Sequence, residues 1–414
     1  MLITQNLEII TPIPIHIVEN LTIDIQPNNH AKCKVSGILA EENSIDYTYE
    51  YKENIDVIIK SEKKIIFRGF IEELRLKKSA NITYFKFDSY SYSKKIDEEK
   101  KRELFQNTSQ RYGDTVKKLL NQYMGDLTIY VDDRNIEKPL LCYDETIWEF
   151  SKYVALSLGT YVYPNIVANN PSINLGIKSG IYVDYSDIEL KESIISRCKN
   201  GKKIKKHKIA SYKAYDIGDC IKIGREEFVI SSERIEFINY ELKFTFTVIK
   251  RRDIEDSINT YESENIIGLS LKGRVVRVDK EKIYISTDII TDSPSYAFDW
   301  YPETGNVLYA MPEIGETVAL YIYDSGRGKM YALRSLYNDG KDANNKLLKT
   351  IQNKSISLSD SGVTFKSDDH MLINDSFFRI IGNRGITINA KESIVLNAAN
   401  IIIKSEEEII YINE

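Results

Sequence analysis

The chain has 414 residues, 28% of them charged, and a formal net charge of -5. That length gives room for roughly two to four domains with a sizeable core, and the mild acidic balance excludes a globally basic polyanion binder. No apolar run approaches a membrane span, and residues 1–20 have neither the basic start nor the apolar stretch of a signal peptide, so synthesis in the cytoplasm without a signal peptide is expected.

Cys33, Cys142, Cys198 and Cys220 lack C-x-x-C spacing and read as free, buried thiols. His16, His30, His207 and His370 are too dispersed for a metal cluster, so no metal or cofactor is expected.

From Ile9 to Phe87 apolar and polar residues alternate, as in 21–25, 64–71 and 83–87, which predicts an antiparallel sheet or barrel. The period then changes. Val116, Leu119, Leu120 and Tyr123 share one helical face after an Asp114-Thr115 start signal, and Ile147, Phe150, Val154 and Leu158 share another over 146–158. Strands return between Ile217 and Lys250, clearest at 244–248. Residues 1–255 therefore read as one β-rich region with a few helices, and 251–265 as a polar linker. Residues 266–338 hold four or five strands in about 70 residues, the size of a small OB-type barrel. A second link, 338–345, leads to 346–414.

That last segment repeats an apolar-x-apolar unit eight times. The pairs are Ile356/Leu358, Val363/Phe365, Met371/Ile373, Phe378/Ile380, Ile386/Ile388, Ile394/Leu396, Ile401/Ile403 and Ile409/Tyr411, in steps of 7 or 8 residues. Each unit predicts a short strand with two side chains on one face. So short a rung buries too little to offset its own ordering entropy, whereas single-chain β-helices use about twenty residues per coil. Each rung therefore supplies one side of a three-sided shaft completed by two further copies. At about 4.8 Å per rung the prism reaches on the order of 40 Å. An ordinary β-meander is the disfavoured alternative. Asn374, Asn389 and Asn397, which follow rung pairs, suit corner backbone rather than an amide ladder.

Candidate chemistry is thin. Asp132-Asp133, Asp144-Glu145 and Glu72-Glu73 are adjacent carboxylates of the kind expected by chance among 61 acidic residues. Asp144-Glu145-Thr146 reads instead as a helix start, with Asp144 or Thr146 capping amides. The basic run 199–208 lacks the interleaved aromatics of a nucleic-acid binder and reads as a solvated loop or a charged protein contact. Gly326-Arg327-Gly328 reads as a hairpin turn rather than a phosphate loop.

Three stretches, in order, resemble the VgrG family of type VI secretion and the hub-spike proteins of contractile phage tails and related particles. They are Leu141 to Phe150, with Tyr143, Asp144, Glu145, Thr146, Trp148 and Phe150; Lys272 to Asp279, with Gly273, Arg274 and Val275; and Tyr309 to Val318, with Pro312, Gly315 and Val318 after an aromatic at Trp300. With the octad tail they span nearly the whole chain. The resemblance implies a mainly β fold with a tandem β-barrel hub over 1–255, an OB-fold-like domain over 266–338, and an intertwined trimeric β-helical spike over 346–414. It implies a non-enzymatic homotrimer that joins a hexameric, Hcp-like tail tube to a puncturing tip and meets baseplate proteins, a PAAR-like tip protein and, on firing, a target envelope. The chain departs from the family in having no lysozyme insertion before the needle and no effector domain after Glu414, and His370 is its last histidine. The competing readings are a tail-associated peptidoglycan or polysaccharide hydrolase and a receptor-binding tail spike.

Overall fold

The computed structural model describes residues 2–4, 7–40, 55–198, 201–258, 266–302, 310–324, 329–336, 346–350, 354–359, 362–366, 380–410 and 412. Met371, Ile373, Phe378 and Tyr411 of the expected rungs lie outside them, as do Tyr309, Asn374, Gly326-Arg327-Gly328 and the link 338–345.

The first region opens with β1 (Leu2–Thr4), β2 (Leu7–Ile10), β3 (Ile15–Ile25), β4 (Lys32–Leu39), β5 (Ile55–Ser61), β6 (Lys64–Ser79) and β7 (Ile82–Ser91). Next come β8 (Lys100–Phe105), α1 (Tyr112–Leu120), β9 (Leu127–Ile129), β10 (Leu140–Thr146), α2 (Ile147–Ser157), β11 (Val162–Pro164) and β12 (Ile173–Leu175). It closes with β13 (Glu189–Arg197), β14 (Lys203–Ser211), β15 (Cys220–Ile223), β16 (Glu226–Ile238), β17 (Glu241–Ile249) and the short helix α3 (Ile254–Ser257).

Twelve strands share one sheet, ordered β1-β2-β5-β6-β7-β4-β3-β16-β17-β14-β13 with β15 on β16. The barrels expected in the hub are thus two halves of a continuous sheet, sewn together where 21–25 of β3 run antiparallel to 233–237 of β16. Alternation builds the core: on β17, Leu242, Phe244, Phe246 and Val248 turn inward while Lys243, Thr245 and Thr247 do not. A second core lies under α1 and α2, where Val116, Leu119 and Leu120 join Phe105, Phe150 and Val154. Helix α1 starts at Tyr112, before the expected Asp114; the Asp114 carboxylate reaches back to the Arg111 amide at 2.9 Å.

The polar stretch expected as a linker from Arg251 is in part body. Arg251 donates to the Ile177 and Lys178 carbonyls at 3.0 and 3.1 Å, and Ile254 is buried against Tyr161 and Tyr163. Among the described residues Ile254 and, less deeply, Ile258 anchor this piece, so its largely polar composition conceals the docking.

A closed barrel follows, made of β18 (Ser270–Asp279), β19 (Lys282–Thr287), β20 (Phe298–Tyr301), β21 (Thr317–Ile322) and β22 (Met330–Ser335). Its order, β18-β19-β20-β22-β21, with β20 and β22 parallel, is that of a five-stranded OB-type barrel.

Residues 341–414 form a separate unit. In it β23 (Lys346–Lys349), β24 (Ser355–Ser359) and β25 (Gly362–Lys366) make an antiparallel meander, with Ile356 opposite Phe365 and Leu358 opposite Val363. The first two pairs therefore face each other across a hairpin, where stacked rungs were expected. β24 thus bonds to its two sequence neighbours, β23 on one side and β25 on the other. No strand occurs among the described residues from 380 to 410.

Candidate assembly site

The hub motif sits at the junction of strand and helix. β10 pairs antiparallel with β8, and the register slips between Tyr143 and Glu145, leaving Asp144 unpaired at φ +51°. Arg102 fixes this bulge by donating to Asp144 at 2.8 Å while lying over the Tyr143 ring, and that hydrogen bond holds the Asp144 carboxyl below its ordinary range. Thr146, rather than Asp144, caps α2: the Glu149 amide donates to Thr146 Oγ1 at 3.1 Å and the Thr146 amide to Glu149 Oε2 at 2.9 Å. Glu145 is buried beside them. Phe150 stacks on Phe105, and Trp148 is packed against His30 with ring centroids 4.0 Å apart.

Beneath Trp148 lies a polar cluster that no sequence spacing betrays. His30 bonds Ser93 Oγ through Nδ1 at 2.9 Å and Asp97 through Nε2 at 3.3 Å, and Thr146 Oγ1 donates to the other Asp97 oxygen at 2.6 Å. Burial lowers the His30 pKa, against the pull of Asp97. Burial alone would raise Asp97, but hydrogen bonds from His30, Thr146 and Lys94 outweigh it and set the carboxyl well below its usual range. The trio resembles a hydrolytic serine–histidine–aspartate set in composition. Ser93, however, is fully buried and also bonded to Ser91, so no substrate carbonyl can reach its oxygen. The cluster ties β4 and β7 to the start of α2.

The OB-type barrel is welded to this junction. Leu104 of β8 and Leu141 of β10 share its core with Ile283, Ile285 and Phe298, and Leu104 exchanges backbone hydrogen bonds with Ile289 and Thr291. One carboxylate, Asp292, accepts the Gln106 amide at 2.9 Å, the Asn107 amide at 2.8 Å and Gln110 Nε2 at 3.0 Å. Within the barrel, a Cβ on Gly273 would lie 2.1 Å from Ile285 Cγ2, so only glycine fits there. Gly315, at φ +96°, lets the turn after buried Pro312 fold onto β18. There the Gly315 amide bonds the Val275 carbonyl at 2.8 Å and Arg274 Nε the Gly315 carbonyl at 3.2 Å. Trp300 Nε1 donates to the Ala310 carbonyl at 2.9 Å, and Val318 fills the core.

From Lys203 the basic run is a strand rather than the expected loop. β14 pairs with β13 on one side and β17 on the other, which its lysine content hides. Lys208 meets Glu192 at 2.8 Å, Lys205 meets Glu226, and Lys202 meets Asp253 and Asp256. The acidic pairs are likewise engaged: Glu73 with Arg75 at 2.7 Å, Asp133 with the Gly113 amide at 3.2 Å, where burial nevertheless raises its carboxyl pKa.

The C-terminal apolar pairs stand open. Ile386 and Ile388, Ile394 and Leu396, and Ile401 and Ile403 are between 52% and 67% exposed, and Ile380 and Ile409 are open too.

The fold is mainly β, with a continuous twelve-stranded sheet, a capped helix welded to an OB-type barrel and exposed apolar pairs in the C-terminal unit. No known family profile matches the sequence, and no curated protein matches it either. Among solved structures, the Escherichia coli c3393 protein, described as a type VI secretion component similar to the T4 bacteriophage tail proteins gp27 and gp5, matches with a TM-score of 0.54 at 11% identity; the match covers 80% of this chain and 100% of that one. The Francisella PdpA-VgrG complex in its half-lidded form matches with a TM-score of 0.52 at 10% identity, over 84% of this chain and 80% of that one. The lidless PdpA-VgrG structure gives 0.53 at 10% identity, over 84% and 89%. The chain has the VgrG-like hub fold.

Proposed function

We propose that this chain is the non-enzymatic hub and spike of a contractile injection system, a homotrimer that joins a hexameric tail tube to a puncturing tip. The observation that carries the reading is the open ladder from Ile380 to Ile409. Side chains this apolar and this regularly spaced gain about 25 cal/mol per Å² when covered. Two further copies of the same segment supply the matching faces at the same step, which makes a closed three-sided shaft with no free strand edge. The likeness of fold supports the hub half of the assignment. The partners are then the tube, baseplate proteins, a PAAR-like tip protein and the target envelope. The chain is made in the cytoplasm and leaves it as part of a particle. The ion pairs of the basic run argue against nucleic acid as a partner, because Lys205 and Lys208 on β14 and Lys202 just before it already face carboxylates.

Light scattering of the full chain and of a version ending at Asn345 tests this. A trimer that weakens on truncation supports the shaft. A full-length monomer at micromolar concentration removes it.

A further inference from the structure

A cavity of about 350 Å³ opens where β3 and β16 of the sheet meet the segment after β11. That volume is at the small end of ligand sites. Its walls are mixed: Ile65, Ile166, Phe244, Tyr163 and Tyr215 supply apolar and aromatic surface, and Thr128, Asn165, Asn174, Lys64, Lys178 and Asp216 supply polar groups. Glu233 of β16, only 7% exposed, lines it.

Four of the hydrogen-bonding side chains around Glu233 have other partners. Tyr163 donates to the Ser231 carbonyl at 2.8 Å and Tyr215 to Asp187 at 3.2 Å. Lys64 and Lys178 both hold Asp216, at 3.1 and 2.7 Å. Asp219 takes the Asp216 and Ile181 amides. The Glu233 carboxyl receives no hydrogen bond from a described residue, and burial, with Asp216 and Asp219 nearby, pushes it up to about 8. A buried carboxyl left without a donor is costly, and once it ionises Lys64 and Lys178 face three carboxylates, Asp216, Asp219 and Glu233. One positive charge and one strong donor would complete the set.

We infer that this cavity binds a primary ammonium group on a short apolar stem, with the ammonium paired to Glu233 and the stem against the isoleucine and tyrosine walls. The chemistry is shared by a free alkyl amine or diamine and by a lysine side chain of a docked protein. The inference does not depend on the trimeric spike. Pairing requires the carboxylate, so binding below pH 8 expels the Glu233 proton to solvent: the carboxylic O–H breaks and its electron pair stays on the oxygen facing the ammonium.

Calorimetry on the full chain tests the site with 1-aminopentane, 1,5-diaminopentane and Nα-acetyl-lysine methylamide, each at pH 7 in phosphate and in MOPS, neither of which contains a primary amine. The expected result is saturable binding that releases about one proton, seen as a difference in heat between the buffers, with affinity rising about tenfold per pH unit from 6 towards 8. Tighter binding of the diamine indicates a free amine, whereas tighter binding of the blocked lysine indicates a protein side chain. Glu233→Gln is expected to weaken binding at least tenfold and flatten its pH dependence. Absence of binding by all three probes up to about 10 mM, or binding without proton release in the unaltered protein, overturns the inference.

Discussion

Replacing Asp292 with alanine is expected to loosen the OB-type barrel from the hub. The side chain accepts two backbone amides and the Gln110 side chain, at 2.8 to 3.0 Å. Hydrogen bonds to a charged acceptor contribute about 1.5–3 kcal/mol each, and their sum is not additive at a part-buried site. Alanine therefore costs about 2–4 kcal/mol, because the Gln106 and Asn107 amides lose their acceptor together. The two tryptophans allow a domain-by-domain assay: Trp148 lies in the hub core and Trp300 on the barrel. Urea unfolding is followed by fluorescence in Trp148→Phe and Trp300→Phe backgrounds, each with and without Asp292→Ala. With a slope of about 3 kcal/mol/M, a 3 kcal/mol loss moves the midpoint by about 1 M. The barrel signal from Trp300 is expected to move at least as far as the hub signal. A Trp300 midpoint that shifts by less than about 0.2 M would show that the apolar contact of Leu104 and Leu141 alone holds the joint.

Ile394→Asp combined with Ile401→Asp is expected to abolish the trimer while leaving the circular dichroism of the hub intact; an assembled variant seen by light scattering would sink the shaft. Thr146→Ala removes the α2 cap and its bond to Asp97, costing about 1–2 kcal/mol in chemical denaturation, and Thr146→Ser is expected to restore most of it. His30 and Asp97 both have folded pKa values below their unfolded ones, so each contributes stability above its unfolded pKa that is lost as pH falls. The loss attributed to His30 begins below about pH 6.5, and His30→Asn should flatten the melting-temperature profile between pH 6.5 and 5. Glu233 has the opposite sign: its folded pKa is raised to about 8, so it destabilises as pH rises from the ordinary carboxylate range through 8. Glu233→Gln is therefore expected to melt higher than the parent at pH 9, and an equal or lower value contradicts the burial argument.

What the sequence disclosed follows from the range of the interaction. The α2 start was legible because Thr146 and Glu149 cap one another across three residues, and Leu242 to Val248 was legible because alternation is local. The OB-type strands and the Pro312–Gly315 turn were legible for the same reason. The weld was not: Asp292 and Gln106 are separated by 186 residues, and an isolated aspartate in a loop carries no period. Nor did the lysines of β14 reveal a strand, since the ion partners of Lys208 and Lys205 come from β13 and β16. Glu233 carries no signal of its own in the sequence, because its burial depends on the sheet closing over it.

The seam between β3 and β16 also fixes an order of events during synthesis. Asp24 meets Arg234 across 210 residues of chain, so β3 waits for its partner while ribosomes add residues at about 5–20 per second, roughly 10 to 40 s. Until then β3 has a bare edge beside β4. Once residue 249 has emerged the hub sheet is complete, and the apolar ladder after Ile380 is made later still, on a nascent chain whose largest folding unit has already closed. The segment most prone to pairing with other chains is thus translated after the hub sheet, when the hub no longer offers it an open strand at this seam.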